Sequence, residues 1–306
     1  MSAGRGRGGH RAAWTLACAA VALATSPLAA RAQAVCSAPH SSPTLAQSGA
    51  IETLPAGAGW VQISLYGQRA NEFFNHLGGR QPFLASSQFD TRSVFLTGAV
   101  GLVEGVELWA QVPTHHLNVD ASSGESTTTG VGDLRFAARV GPELFGLDVP
   151  LAVRAGLKLP GSDFPVDATV LPLTEGQTDF EVSVESGRSL GSLPMYVMGW
   201  VGYRWRGTNR EALRRPGDER YAHLAVGGLV GDLTWEMATD GLWGTAPLAH
   251  GVRLEGERRR LIQLLPTVGY GVGPGRLEFT GQIPVSGRNL PAGFGVSMGY
   301  RTTWGL

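Results

Sequence analysis

Ten charged residues fall into four groups along the middle of the chain: Asp133, Arg135 and Arg139; Arg154 and Lys158; Asp179, Glu181 and Glu185; Arg204 and Arg206. Within each group the residues are an even number of positions apart, so an extended backbone carries them all on one face. The groups read basic, basic, acidic, basic along the chain, and opposite charges on neighbouring strands attract. Such an array can brace a wall by ion pairing, or it can set up a field that orients a passing solute. It is not the equipment of catalysis. Beyond residue 34 the histidines are His40, His76, His115, His116, His223 and His250. Only His115 and His116, just past Pro113, are placed to meet polar partners at a rim. No serine stands in a recognisable nucleophile motif and no zinc-ligand spacing of the HExxH kind occurs. The expectation is a chain with no enzymatic activity, cofactor or metal; an outer-membrane enzyme is the weakest reading.

The elements that carry these charges alternate strictly. In "GVGDLRFAARVG", Leu134, Phe136, Ala138 and Val140 interleave with Asp133, Arg135 and Arg139. The same two-faced pattern sets Val106, Leu108, Ala110 and Val112 against Glu107, Trp109 and Gln111. It sets Leu151, Val153, Ala155 and Leu157 against Arg154 and Lys158, and Phe180, Val182 and Val184 against Asp179, Glu181 and Glu185. Segments of this kind span approximately 60–72, 88–102, 105–117, 130–141, 150–160, 176–189, 194–206, 219–230, 232–243, 259–272, 275–287 and 293–306. Each is close to the roughly 9–11 residues that a tilted strand needs to cross a bilayer. Short glycine-rich connectors ("VEG", "GSLP", "GD", "GPG") alternate with long polar ones such as "GSDFPVDATVLPLTE", as turns and loops do in outer-membrane barrels. Three segments meet a proline after an apolar residue, at Pro113, Pro160 and Pro284, which fits a strand end or rim bulge. The charges should face the interior, because an arginine or lysine toward mid-bilayer lipid costs about 2–4 kcal/mol.

Composition agrees. The chain is 43% hydrophobic but only 16% charged and holds 44 glycines, whereas a soluble domain is roughly 25% charged. Residues 1–34 combine three early arginines, the apolar run "AAWTLACAAVALA" and a small-residue "AQA" end, which together read as a secretory signal peptide. Removing its four arginines from the 25 basic residues leaves 21 against 25 acidic, no footprint for nucleic acid. Cys36 is then the only cysteine, so no disulfide forms within the chain. Residues 35–59 are polar and proline-containing and read as a flexible periplasmic leader. The barrel proper spans 60–306. The fold expected is all-β: a transmembrane antiparallel up-and-down β-barrel of about twelve strands, with both termini periplasmic.

Aromatic residues near segment ends (Trp60, Phe89, Trp205, Tyr221, Trp243, Phe294 and Trp304) suit interfacial girdles. The terminal "FGVSMGYRTTWGL" alternates apolar residues to Leu306, as an outer-membrane assembly signal does, although Leu306 replaces the usual phenylalanine. Outer-membrane lipids and the barrel-assembly machinery are the partners this implies. The order "GVGDLRFAARV", "AVRAGLKLPGSD", "EGQTDFEVSVESGRSLG" and "WVGYRWRG", over residues 130–207, resembles the outer-membrane transporter family associated with the meta-cleavage pathway of phenol degradation. The resemblance implies a β-barrel transporter or channel in the bacterial outer membrane, with aromatic or apolar solutes implied by association alone. The expected function is passive or facilitated diffusion of small solutes through a charged lumen. The alternative is a structural barrel closed by its own charges.

Overall fold

A bilayer offers no water to satisfy backbone N–H and C=O groups, so a sheet that crosses one must close on itself. The computed structural model describes residues 53–83, 87–121, 124–147, 149–165, 170–191 and 193–305, and it shows that closure. The barrel strands are β1 (Gly59–Ala70), β2 (Gln88–Val103), β3 (Val106–Ala121), β4 (Leu134–Val140), β5 (Leu151–Leu159), β6 (Asp179–Ser189), β7 (Met195–Trp205), β8 (Glu219–Val230), β9 (Leu233–Gly244), β10 (Arg260–Val272), β11 (Gly275–Arg288) and β12 (Phe294–Trp304). Each pairs antiparallel with its neighbours in sequence. The ring shuts between β1 and β12, where Ile63 stands opposite Tyr300 and Leu65 opposite Met298. The signal peptide, Cys36 and Leu306 lie outside the described residues. No described helix is long and apolar enough to cross a membrane; the crossing elements are strands.

Two-residue turns at Gly231–Asp232 and Gly273–Pro274 join β8 to β9 and β10 to β11. Their glycines take positive φ, 60° and 57°, which a side chain would oppose. At the other rim β2 and β3 continue well past their neighbours. Each is sixteen residues long, about 50 Å at strand rise against roughly 30 Å of hydrocarbon. The fourth sequence segment, expected to run unbroken over 130–141, divides instead. β3 pairs with β4 up to Gln111–Arg135 and from Thr114–Val131 onward with a separate strand, Gly124–Val131.

Pro113 sits at that changeover, its carbonyl accepting from the Gly132 N–H at 3.1 Å. Pro284 lies inside β11 where the register against β10 shifts at Ile262/Gln263. Both prolines were expected at a strand end or rim bulge; Pro284 is at such a bulge, and Pro113 lies inside β3 where its partner strand changes. They occupy places where the ladder is already irregular, so the missing N–H costs little. Pro160 alone directly follows a strand, β5.

The two faces are chemically opposite. Outward side chains form an apolar belt, with Ile63, Val201, Leu224 and Phe294 each more than half exposed, an expanse that needs lipid rather than water. Inward positions carry Gln62, Ser64, Thr97, Gln111, Glu185, Gln263 and Gln282, all buried. Trp205, Trp243, Phe294 and Trp304 face outward as a girdle requires. Trp60, Phe89 and Tyr221 do not: Trp60 and Phe89 are buried inside, and Tyr221 packs on the lumenal cluster beside Arg204. Strand-end position alone did not reveal which face an aromatic takes.

At the short-turn end the chain folds back onto the inside of the barrel. Thr53–Ala58, the last part of the segment read as a leader, is tied to the barrel by Gly57 N–H to Gly101 O at 2.8 Å and Gly101 N–H to Ala58 O at 2.9 Å. Leu54 is buried with Trp60 and Ala99 against Trp109, and its N–H donates to Glu107 Oε2 at 3.3 Å. We expect Leu224→Arg to lower barrel stability by about 2–4 kcal/mol in urea unfolding from lipid vesicles, and Leu224→Phe to be nearly neutral. Equal, small effects from both would mean that this face does not meet hydrocarbon.

Candidate functional site

Register brings the charged rows together inside the barrel. Lys158 on β5 stands opposite Asp179 on β6, and Glu181 on β6 opposite Arg204 on β7. Lys158 Nζ lies 2.9 Å from Asp133, 2.8 Å from Glu175 and 3.0 Å from Asp179. Arg206 lies 2.9 Å from Asp179 and 2.7 Å from Glu219, and also pairs with Glu175. Arg204 reaches Glu181 at 2.7 Å and Glu219 at 2.8 Å. Asp133 reaches Lys158 because the break at Gly132–Asp133 releases it from the ladder.

Nearer the short-turn end a second group forms. Arg139 and Arg154 stand directly opposite each other on β4 and β5, two like charges. Glu185 joins them, 2.9 Å from Arg139 and 2.8 Å from Arg154, and Glu107 adds a contact to Arg139 at 3.4 Å. Arg139 and Glu185 are 3% and 1% exposed at the side chain. Charges removed from water this completely are tolerated only when paired.

Of the ten residues singled out in the sequence, nine enter these ion pairs. Arg135 joins none among the described residues; it stands opposite Lys158, another cation, and lines the cavity described below. Four partners were not singled out. Alternation already sets Glu107 on the polar face of its strand, and Glu219 is an inward strand position that it could have added. Glu175 and Arg259 lie in connectors, where no periodicity marks them.

The connector between β5 and β6 carries the main surprise. Instead of a solvated loop, residues 171–177 fold into the mouth of the barrel. Leu171 packs across the lumen on Ala70, Phe89 and Leu117. Asn209 Nδ2 donates to the Glu175 carbonyl at 3.0 Å. The Glu175 carboxylate meets Lys158, Arg206 and, at 3.3 Å, Arg259. Burial alone would raise its pKa, but Arg206, Lys158 and Arg259 hold it well below the usual carboxylate range. Beneath the loop lies a cavity of about 70 Å³ lined by His115, Arg135, Glu175, Arg204 and Glu219, among others. That is room for a few waters, far less than the roughly 300–1,000 Å³ of a small-molecule pocket.

The same strands also carry an apolar cluster: Ala152 on β5 is buried with Tyr196, Met198 and Trp200 on β7, Ala225 on β8, Ala238 on β9 and Leu265 on β10, and Trp200 stands opposite Glu185. Trp200 stacks on His223 with centroids 3.7 Å apart, and His223 Nδ1 faces Asp240 at 2.5 Å. Tyr196 donates to Glu236 at 2.6 Å.

The two adjacent histidines separate. His115 points inward to Ser93 Oγ at 2.7 Å, and His116 points outward to Thr129 Oγ1 at 2.7 Å. A Ser93–His115 pair alone is not a nucleophile with an oriented base, since no carboxylate ion-pairs with His115 among the described residues. No described cluster of three His, Cys, Asp or Glu side chains could hold a metal.

Together these features define a transmembrane β-barrel whose lumen is filled by ion pairs and by two in-folded chain segments. The chain is similar in structure to an outer membrane channel from Pseudomonas putida F1, with a TM-score of 0.68 and 18% identity over 83% of this chain and 97% of that one. Weaker likenesses are to the translocator domain of the autotransporter NalP from Neisseria meningitidis (TM-score 0.46, 10% identity, 81% and 89% covered) and the NanC porin (TM-score 0.45, 13% identity, 78% and 98% covered). No family model and no curated protein matches the sequence. What the first likeness shows is the outer-membrane barrel fold; it carries nothing about phenol degradation.

Two outcomes follow from the ion pairs. Glu185→Gln should cost about 3 kcal/mol in urea unfolding, because it removes the carboxylate shared by two facing arginines and leaves Arg139 with only the longer Glu107 contact, and adding Arg154→Gln should restore part of the loss. Because the Glu175 pKa is depressed in the folded state, its anchoring is complete above the ordinary carboxylate range and fades only as pH falls through the depressed value. Protease protection of residues 170–178 should therefore be the same at pH 7 and about pH 5, and Glu175→Gln should abolish it at both.

Proposed function

We propose that the protein is an outer-membrane channel that admits small solutes by facilitated diffusion. The observation that carries this reading is what narrows the lumen: two chain segments, 53–58 and 171–177, fold into its ends, while between them the wall carries both ion pairs and an aromatic cluster. The 171–177 segment, held largely through side chains, can shift without opening the sheet, whereas a strand wall cannot. The aromatic cluster of Tyr196, Trp200 and Tyr221 with Met198 and Leu265 favours solutes with an apolar or aromatic body, and the adjoining charges would orient their polar ends. Residues 1–34 would direct export and be removed. The short-turn end with both termini would face the periplasm, and β12 would engage the barrel-assembly machinery.

A second reading, a structural barrel with a closed lumen, is favoured by the density of ion pairs around Lys158 and Arg206. Single-channel recording and liposome swelling on refolded protein separate the two. The channel reading expects small, fluctuating conductance and uptake of small solutes, with neither seen if the lumen stays closed. Neutralising Arg139, Arg154 and Lys158 together should change ion selectivity; lower stability with unchanged selectivity would assign these residues to bracing alone.

A further inference from the structure

One cross-strand row on the outer surface breaks the pattern of the lipid-facing belt. Pairing places Tyr203 on β7 opposite Arg220 on β8, Arg220 opposite Trp243 on β9, Trp243 opposite Arg260 on β10, and Arg260 opposite Arg288 on β11. Directly opposite residues share a face, and Trp243 is 42% exposed on the outside, so the whole row points outward at the long-loop rim. One row below stand Val201, Ala222, Gly241 and Ile262, all apolar or small.

Three guanidinium groups in such a place need an account. In the lumen, arginines are held by carboxylates. Here Arg220, Arg260 and Arg288 join no ion pair among the described residues. Arg260 donates to Ser286 Oγ at 3.0 Å, and its Nε is buried without a partner. The acidic groups of the neighbouring loops are engaged elsewhere: Asp218 with Arg215, Glu257 with Arg214, and Glu255 with Arg258. Arg260 and Arg288 face each other across one strand spacing, about 5 Å, and Arg220 is about 10 Å from Arg260. Adjacent cations repel, and an arginine facing hydrocarbon is costly. Both penalties vanish if anionic oxygens sit between the side chains.

We propose that this row binds the phosphorylated headgroup of an outer-leaflet lipid. Guanidinium groups match phosphate by paired N–H donors. Tyr203 and Trp243 flank the arginines at the level where aromatic side chains meet headgroups. The apolar row beneath receives the acyl chains, which a free phosphate lacks. The inference rests on the membrane orientation proposed above, with the long loops outside.

The test uses full-length refolded protein in detergent. Bisphosphorylated lipid A, or the same lipid stripped of phosphate, is added, and lipid retained through gel filtration is quantified by mass spectrometry. Wild type should retain the phosphorylated form, and the triple variant Arg220→Ser, Arg260→Ser, Arg288→Ser should retain about tenfold less. The single variant Arg220→Gln alters an exposed side chain that makes no ion pair, so folding is unaffected, and it should lose part of the retention. Arg188→Ser, outward at the opposite rim, should lose none, and inorganic phosphate in large excess should not displace the lipid. Undiminished retention by the triple variant, equal retention of stripped lipid, displacement by phosphate, or an equal loss with Arg188→Ser would each overturn the proposal. Insertion and conductance in phosphatidylcholine vesicles do not involve the row, so failure of the barrel reading would show there instead.

Discussion

Hydrocarbon cannot hydrogen-bond to a peptide group, and everything else in this molecule follows from satisfying that demand. The sheet has to close, so β1 must find β12 across the whole length of the chain. With twelve strands the enclosed space is narrow, and every second residue of every strand points into it. The charges on β3–β8 therefore cannot be diluted by solvent as they would be on a surface. They either find partners or raise the free energy of the closed ring. Lys158 with three carboxylates and Arg206 with three show that the pairing is nearly complete.

Strand number, order and facing were legible in the sequence because all rest on a period of two, which survives any uncertainty about strand ends. The lumenal pairs on β4–β7 were legible for the same reason. Departures came where that period carries no information. Pro113 lies inside β3 rather than at a strand end, because a ladder that changes partner accepts proline there, whereas Pro284 sits at the kind of bulge that the sequence allowed. Trp60, Phe89 and Tyr221 looked like girdle residues because aromatics suit both an interface and a packed interior. Glu175 and Arg259 belong to connectors, where tertiary contact alone decides which side chains turn inward.

The two segments that narrow the lumen are held in unlike ways. Thr53–Ala58 is fixed by backbone hydrogen bonds to β2 and by apolar packing on Trp60 and Trp109. The 171–177 segment is held chiefly through side chains: the Glu175 carboxylate among three cations, Asn209 on the Glu175 carbonyl, and Leu171 as an apolar foot on the far wall. Backbone pairing is indifferent to salt and to side-chain identity, whereas an ion-paired anchor responds to both. The two ends of the same lumen thus answer to different physical variables.

The shared carboxylate of Glu185 has a further consequence, for how such a sequence drifts over evolutionary time. Arg139 and Arg154 face one another and share Glu185, with Glu107 adding a longer contact to Arg139 alone. Losing Glu185 first exposes a repulsion, whereas losing one arginine first leaves a simple pair. The order of substitution therefore matters, and lineages should pass through the loss of an arginine before the loss of the acid. The three positions are expected to vary as a unit, so their joint pattern of replacement would preserve a record of this contact even where overall sequence similarity has faded.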